Sequence, residues 1–506
     1  MLNKRIIYRI IFCLLIILLF KPTWLLNNEN LGVVGDDMSY WLHASTMAFD
    51  LDFDYTNDYS FDSFIYHEET NTPYHSPGSG YASAIFVKIF SLFDPVSQLN
   101  EIRNNPVGSY ALLGYFFGSL VFCYLGFYYF NKLLNEKKIA INKKIIFLII
   151  LSGTLAHFVT NRFLMAHSFE FFLVVFILYV FETKDSIAHK FNFAPLALAY
   201  FLLSITRPST FIFTLCLFGV YYKKFRYGKG NVVYNLITFS ALVYIYIFLA
   251  QKLYNQNSFL LNLRQNNTTA GISEDINFEW IINGFLESFN LIFSPSMGIL
   301  WSAPIIIFGI ICLILNKKYI NNLNLFQKLS LFAYFFGCLL VLYVWQGREA
   351  SFGQRLLIGI IPYCAYQVCI YFNNKNTKIL IPFISISYLG SLFLYSSSNL
   401  TLQYGTTLWN TVIDWASEDY FFFLVSEIFK FENVASMFSR TVFFIDGIFL
   451  TNVFENSSIV DSLEPGRKSR FLNFVEIYNN LEVSYFILLN FILFYFSFYL
   501  EKLTRK

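Results

Sequence analysis

The stretch Gly35-Asp36-Asp37-Met38-Ser39-Tyr40-Trp41 sets two adjacent carboxylates a short way past an apolar run, Ile6 to Phe20. Paired acids there can do two kinds of work. One caps a helix, since a carboxylate accepts from free backbone N–H groups and suits the positive helix end. The other takes a hydroxyl proton as a general base. Adjacent helical residues point about 100° apart, so one acid can cap while the other faces a site. If the helix starts at Asp37, then Asp36 is the cap and Asp37 stays free.

Cations recur at matching boundaries. "NRFLMAHSFEFF" carries Arg162, His167 and Glu170, "ITRPSTF" carries Arg207, and "YVWQGREASFGQRLLIGIIP" carries Arg348 and Arg355. "NTPYHSPGSGYASAIFVKIFSLF" adds His75 and Lys88. Arginine offers planar donors matched to phosphate oxygens, and an arginine bounded by membrane is a functional candidate by default. The bland alternatives are a snorkelling lysine, an ion-paired arginine and a packed histidine. Together the groups suit a reaction between an anionic lipid-phosphate donor and a neutral hydroxyl acceptor. An aspartate takes the proton, and the cations hold the leaving phosphate. Asp36 and Asp37 are therefore the expected catalytic pair. Arg162, Arg207, Arg348, Arg355 and Lys88 are expected on the donor phosphate, and Tyr40, Trp41, His75 and His167 against the substrate. No metal-ligand set stands out beyond the acids, no cofactor is assigned, and a divalent cation is left open.

The elements that must position these groups are membrane helices. Of 506 residues, 56% are hydrophobic, 21% aromatic and only 14% charged, with a mean hydropathy of +0.50; an ordinary soluble domain carries roughly 25% charged residues. The composition points to an all-α polytopic membrane protein of about 12 spans. Apolar runs place them near 6–26, 107–131, 145–160, 168–183, 192–206, 209–222, 232–253, 291–315, 328–346, 355–373, 378–397 and 484–500. Arg207-Pro208 leaves open whether its flanking runs are one kinked element or two. Lysine clusters around 132–144, 184–190, 223–229, 317–328 and 375–378 all fall on one side of the alternating count, which the positive-inside rule makes cytoplasmic. Both termini then lie inside. The exoplasmic parts are a loop at 27–106, a middle loop at 254–290 and a long segment at 398–483, before a last span and cytoplasmic tail at 484–506. After Gly80 the first loop is expected to form a partly embedded surface helix. The seven cysteines lie in apolar runs, so no disulfide is expected. A net charge of +3 gives no sign of nucleic-acid binding.

The order of "GDDMSYW", "PYHSPGSGYASAIFVKIF", "RFLMAHSFEF", "TRPSTF", "GILWSAPIIIF" and "WQGREASFGQRLLIGIIP" resembles the GT-C glycosyltransferases that use polyprenyl-phosphate sugars. The resemblance covers residues 1–397. It departs from the usual pattern in an Asp-Asp pair, in Arg348 where a glycine is common, and in His75-Ser76 where many members have Lys or Glu. It implies a GT-C-like helical bundle with loop helices and an inverting transfer at the periplasmic face of a bacterial inner membrane. The first acid, Asp36, would be the base, against the capping argument that frees Asp37. General form resembles the phage-type serotype-converting O-antigen glucosyltransferases, which move glucose from undecaprenyl phosphate to a lipid-linked glycan. The implied partners are a polyprenyl-phosphate sugar, a lipid-linked glycan acceptor and membrane lipids. The rival readings are an O-antigen polymerase and a lipid-linked sugar flippase. A flippase would show mid-membrane charges and paired repeats.

Overall fold

The computed structural model describes residues 36–55, 66–67, 72–151, 154–160, 162–187, 189–225, 232–255, 299, 303–344, 355–373, 375 and 380. The first expected span, most of the middle loop, Arg348, the 378–397 span apart from residue 380, and everything from 398 onward lie outside them. The described chain is mostly helical, as its composition requires. Its one sheet is a two-residue antiparallel hairpin, β1 (Tyr66–His67) and β2 (Thr72–Pro73), with Tyr66 opposite Pro73.

Local chemistry sets the helix boundaries. Helix α1 (Asp36–Phe49) opens on its two acids, where the helix dipole favours them. Helix α2 (Gly78–Ser91) starts directly after Pro77, which stands at its N-cap. A short helix, α3 (Leu99–Asn104), leads toward the long α4 (Tyr110–Glu136). Helix α4 is capped twice: Ser109 Oγ accepts from Leu112 N at 3.0 Å, and the two Asp94 oxygens accept from Tyr110 N and Ala111 N at 2.8 Å each. Within the run expected at 145–160 the described residues form α5 (Lys143–Leu151) and α6 (Thr154–Thr160), with 152–153 outside them. Helix α7 (His167–Thr183) follows. Arg207-Pro208 separates two helices, α8 (Lys190–Thr206) and α9 (Pro208–Val220). Arg207 is extended at φ −142°, ψ 85°, as a residue before proline prefers, and Pro208 takes the first helical position, where its missing N–H costs nothing.

Then come α10 (Val232–Tyr254), α11 (Pro304–Leu315), α12 (Lys317–Asn322) and α13 (Leu325–Val344). A 3₁₀ segment, Arg355–Ile360, runs into α14 (Ile361–Tyr371), whose Pro362 fixes the start. Among the described helices, α4 and α10 are long and apolar enough to cross a membrane. Helix α4 is largely buried in the bundle, whereas α10 exposes Val233, Leu236, Ile237, Tyr244 and Phe248 outward.

The bundle has two chemically distinct ends. At one, Lys137 Nζ meets Glu182 Oε2 at 2.9 Å, Tyr221 OH donates to Glu182 Oε1 at 2.5 Å, and Lys224 Nζ donates to the Glu182 carbonyl at 3.1 Å. Gln327 reaches the Val220 carbonyl there, and Asn373 accepts from Ala140 N. Helices α4, α7 and α9 end here, and α8 and α13 begin here. At the opposite ends of α7, α8 and α9 stand Glu170 and Arg207. Aromatic rings fill the space between: Phe122 sits 4.6 Å from Phe169 and Phe181 stacks on Tyr221 at 4.9 Å, centroid to centroid. Ser119 and Ser168 join α4 to α7 by a buried hydrogen bond of 2.6 Å.

Candidate active site

The two aspartates leave the first turn of α1 in different directions and meet different arginines. Asp36 is the first helical residue, yet both its oxygens serve other segments. Oδ2 accepts from Arg355 Nη1 at 2.7 Å, and Oδ1 lies 3.0 Å from His75 Nε2. Asp37 Oδ2 lies 2.6 Å from Arg162 Nε, an ion pair by distance although that N–H is not aimed along the contact. Asp37 Oδ1 is buried, with no hydrogen-bond partner among the described residues. Burial alone would raise the Asp36 carboxyl, but His75 and Arg355 outweigh it and hold Asp36 well below the usual carboxylate range. For Asp37 burial wins. Arg162 pulls down, the neighbouring Asp36 charge pushes up, and the group rests above its ordinary value.

His75 is held from every side. Its ring stacks on Tyr40, centroids 5.0 Å apart and planes 7° from parallel. Its backbone N donates to Ser39 Oγ at 3.0 Å, and its carbonyl accepts from His43 Nε2 at 2.7 Å and from the Tyr254 hydroxyl at 2.9 Å. A carbonyl only accepts, so His43 carries its proton on Nε2. Nδ1 then accepts from the Tyr55 hydroxyl at 2.6 Å, which lies 3.0 Å from that of Tyr81. Burial pushes the His43 imidazole down to about 3, against the opposing hydrogen bond to the His75 carbonyl, and keeps it neutral. Gly80 lets α2 approach this deeply: a Cβ there would lie 2.6 Å from His43 Cβ and 2.8 Å from the Tyr40 carbonyl oxygen.

A second group adjoins the first. Glu170, fully buried in the first turn of α7, takes His167 Nδ1 at 2.9 Å and accepts from Thr210 Oγ1 on α9. Arg207 Nε stands 3.7 Å from the same carboxylate. Arg207 Nε and Nη2 are buried without hydrogen-bond partners among the described residues, and its guanidinium also acts on the Tyr40 hydroxyl. Gly359 admits this packing, for a Cβ there would meet Thr210 Cγ2 at 2.4 Å and Glu170 Oε1 at 2.9 Å. Arg355 Nη1 lies 3.6 Å from Met165 Sδ, which ties the 3₁₀ segment to the turn before α7.

Of the residues expected from sequence, Asp36, Asp37, Tyr40, His75, Arg162, His167, Arg207 and Arg355 come together. Trp41 does not join them. It is fully buried, and its indole Nε1 donates to the Arg103 carbonyl at 3.0 Å, so it packs α1 onto α3 instead of facing a substrate. Lys88 is exposed on α2 beside Ile85 and Ile89, and no contact joins it to the cluster among the described residues. Arg348 lies outside the described residues. Sequence reasoning gave no role to Glu170, Thr210, His43 or Tyr254. Glu170 alone carried a usable signal, as an acid inside an apolar run. Among the described residues no group of three or more His, Cys, Asp or Glu could hold a metal ion.

No family model, curated protein or solved structure matches this chain. Its chemistry therefore rests on the cluster itself: two carboxylates paired with two arginines, a histidine on one of those carboxylates, and a third guanidinium with two nitrogens unpartnered among the described residues.

Proposed function

We propose that this chain is a membrane-embedded inverting glycosyltransferase of the GT-C type. It moves a sugar, glucose on the closest resemblance, from a polyprenyl phosphate to a hydroxyl of a lipid-linked glycan such as O-antigen. On this reading the chain crosses a bacterial inner membrane about 12 times, with the lysine end in the cytoplasm and the aspartate–arginine end at the periplasmic face. One observation carries the proposal. Arg162, Arg207 and Arg355, from segments far apart in sequence, converge on one end with Asp36, Asp37 and Glu170, and two buried nitrogens of Arg207 have no hydrogen-bond partner among the described residues. Such guanidinium donors beside an acid pair suit a reaction that draws a proton from a hydroxyl and releases a phosphate. Arg207 takes the leaving phosphate. Arg162 and Arg355 hold the acids and balance charge as the bond to phosphate breaks.

The test is direct. The protein in lipid nanodiscs is given polyprenyl-phosphate glucose and a lipid-linked glycan, and product is read by mass spectrometry, beside glycan analysis of cells with and without the gene. Transfer is expected. Arg207→Ala is expected to lower kcat about 10²–10³-fold, the scale of losing one preorganised donor to developing charge, with Arg207→Lys recovering part of it. Glycan strands lengthened by whole repeats would indicate a polymerase, and movement of the intact lipid across the bilayer a flippase; either overturns the proposal.

A further inference from the structure

The structure assigns the proton-accepting step to His75, with Asp36 as its orienting partner, in place of either aspartate acting directly. The assignment rests on the glycosyltransferase reading and deepens it. Both Asp36 oxygens are engaged by cations or N–H donors, one by Arg355 and the other by His75, which makes the carboxylate a weak base. Asp37 has one oxygen without a partner among the described residues, but that atom is buried and the other oxygen is held by Arg162. His75 differs from both in having an unengaged basic atom. Its side chain, 30% exposed against 35% for Asp36, directs Nε2 at Asp36, and among the described residues no hydrogen bond or ion pair reaches its Nδ1.

The Nε2–H tautomer that Asp36 requires leaves the Nδ1 lone pair open. The ring has little freedom to turn away. It lies flat on Tyr40, and its backbone is fixed by Ser39, His43 and Tyr254. The titratable or charged groups that face it are Asp36, Tyr40 and His43 on α1 and Tyr254 on α10, with Arg355 behind Asp36.

In the step that follows, the acceptor hydroxyl gives its proton to His75 Nδ1 as its oxygen forms a bond to the anomeric carbon. The bond from that carbon to the phosphate oxygen breaks, and its electron pair leaves on the phosphate, which Arg207 receives. Asp36 stabilises the imidazolium until the proton passes to water. Tyr40 lies between the two functions, His75 stacked on its ring and Arg207 at its hydroxyl. Asp36 touches no reacting atom and is a positioning residue.

Three variants in the nanodisc assay test the assignment. His75→Gln keeps an N–H donor for Asp36 but supplies no base; kcat is expected to fall about 10²–10⁴-fold with KM little changed. His75→Ala is expected to fall equally and to recover several-fold on adding imidazole, which a structural role would not allow. Asp36→Asn is expected to shift the acidic limb of the kcat/KM profile, and His75→Gln to abolish it. Thermal unfolding of each variant in detergent controls for folding. A folded His75→Gln enzyme within about threefold of wild-type kcat, or no rescue of His75→Ala by imidazole, overturns the assignment while leaving the glycosyltransferase intact. A wild-type protein that transfers no sugar from any polyprenyl phosphate removes both.

Discussion

At the scale of single residues, Asp36 and Asp37 carry opposite debts to folding. The Asp36 carboxyl is depressed, with His75 and Arg355 overcoming its burial. Such a group lends stability that is present above its unfolded value, about 3.9, and is lost as pH falls through its folded value. The Asp37 carboxyl is raised, with burial overcoming Arg162. Its ionised form costs stability above the folded value, and the cost fades as pH falls toward the unfolded one. Thermal unfolding in detergent from pH 3 to pH 7 should therefore separate the two amides. Asp36→Asn is expected to lower Tm at pH 7, where Arg355 loses its partner, and the deficit should persist to about pH 4 and close below it. Asp37→Asn is expected to raise Tm at pH 7, the gain shrinking as pH approaches 4. The same sign from both variants at pH 7 would show that the first turn of α1 does not divide its charge in this way. The two sites are adjacent and coupled, so removing one acid also shifts the titration of the other.

At the scale of elements, the site depends on how closely α2 lies against α1. Gly80→Ala places a methyl 2.6 Å from His43 Cβ and 2.8 Å from the Tyr40 carbonyl oxygen, and a backbone atom cannot step aside as a flexible side chain would. The helices must part, at a cost of about 1–3 kcal/mol. Because Tyr40 and His43 frame His75, kcat should fall along with stability, measured by transfer assay and thermal unfolding on the same preparation. The start of α1 at its acids was legible in the sequence. Arg207-Pro208 was legible as a disruption, but whether it kinks one helix or separates two is decided only by the packing of α8 and α9. Both follow from local rules: acids at a positive helix end, and proline confined to a first turn. The assembly of the aspartates and arginines at one end was also legible, from the alternation of lysine clusters along the chain. Their pairing was not. Asp36 meets Arg355 across 319 residues, and Tyr254 reaches the His75 carbonyl across 179, and only the packing of α10 and the 3₁₀ segment decides such partners. Trp41 went to the core for a similar reason: nothing within its own motif announced that the Arg103 carbonyl would take its indole N–H.

At the scale of the molecule, the two ends differ in what they ask of their surroundings. The lysine end gathers Lys137 and Lys224 around Glu182, with the Tyr221 hydroxyl on the same carboxylate. The other end hides its charge in a cluster where arginines and acids nearly cancel. Helix α4, with 27 residues, separates them by about 40 Å, a little more than the roughly 30 Å of a hydrocarbon core. Helix α10 turns Val233, Leu236, Ile237 and Phe248 outward, a surface that water would penalise and lipid would accept. The glycosyltransferase reading needs the cluster to face the compartment where the lipid-linked acceptor waits, so sidedness can be tested without any activity. In a cysteine-free background, Glu101→Cys marks the cluster end and Asp185→Cys the lysine end, both residues being exposed. A maleimide that cannot cross membranes, added to intact cells with a permeable outer membrane, is expected to label Glu101→Cys. Asp185→Cys should react only after the inner membrane is opened. The positive-inside rule sets this direction, because the lysines resist translocation. Labelling of Asp185→Cys from outside would turn the bundle over and put the aspartates, His75 and Arg207 in the cytoplasm, away from a periplasmic acceptor. Labelling of both from outside would place the described helices on one side of the membrane, with the apolar face of α10 covered by something other than lipid.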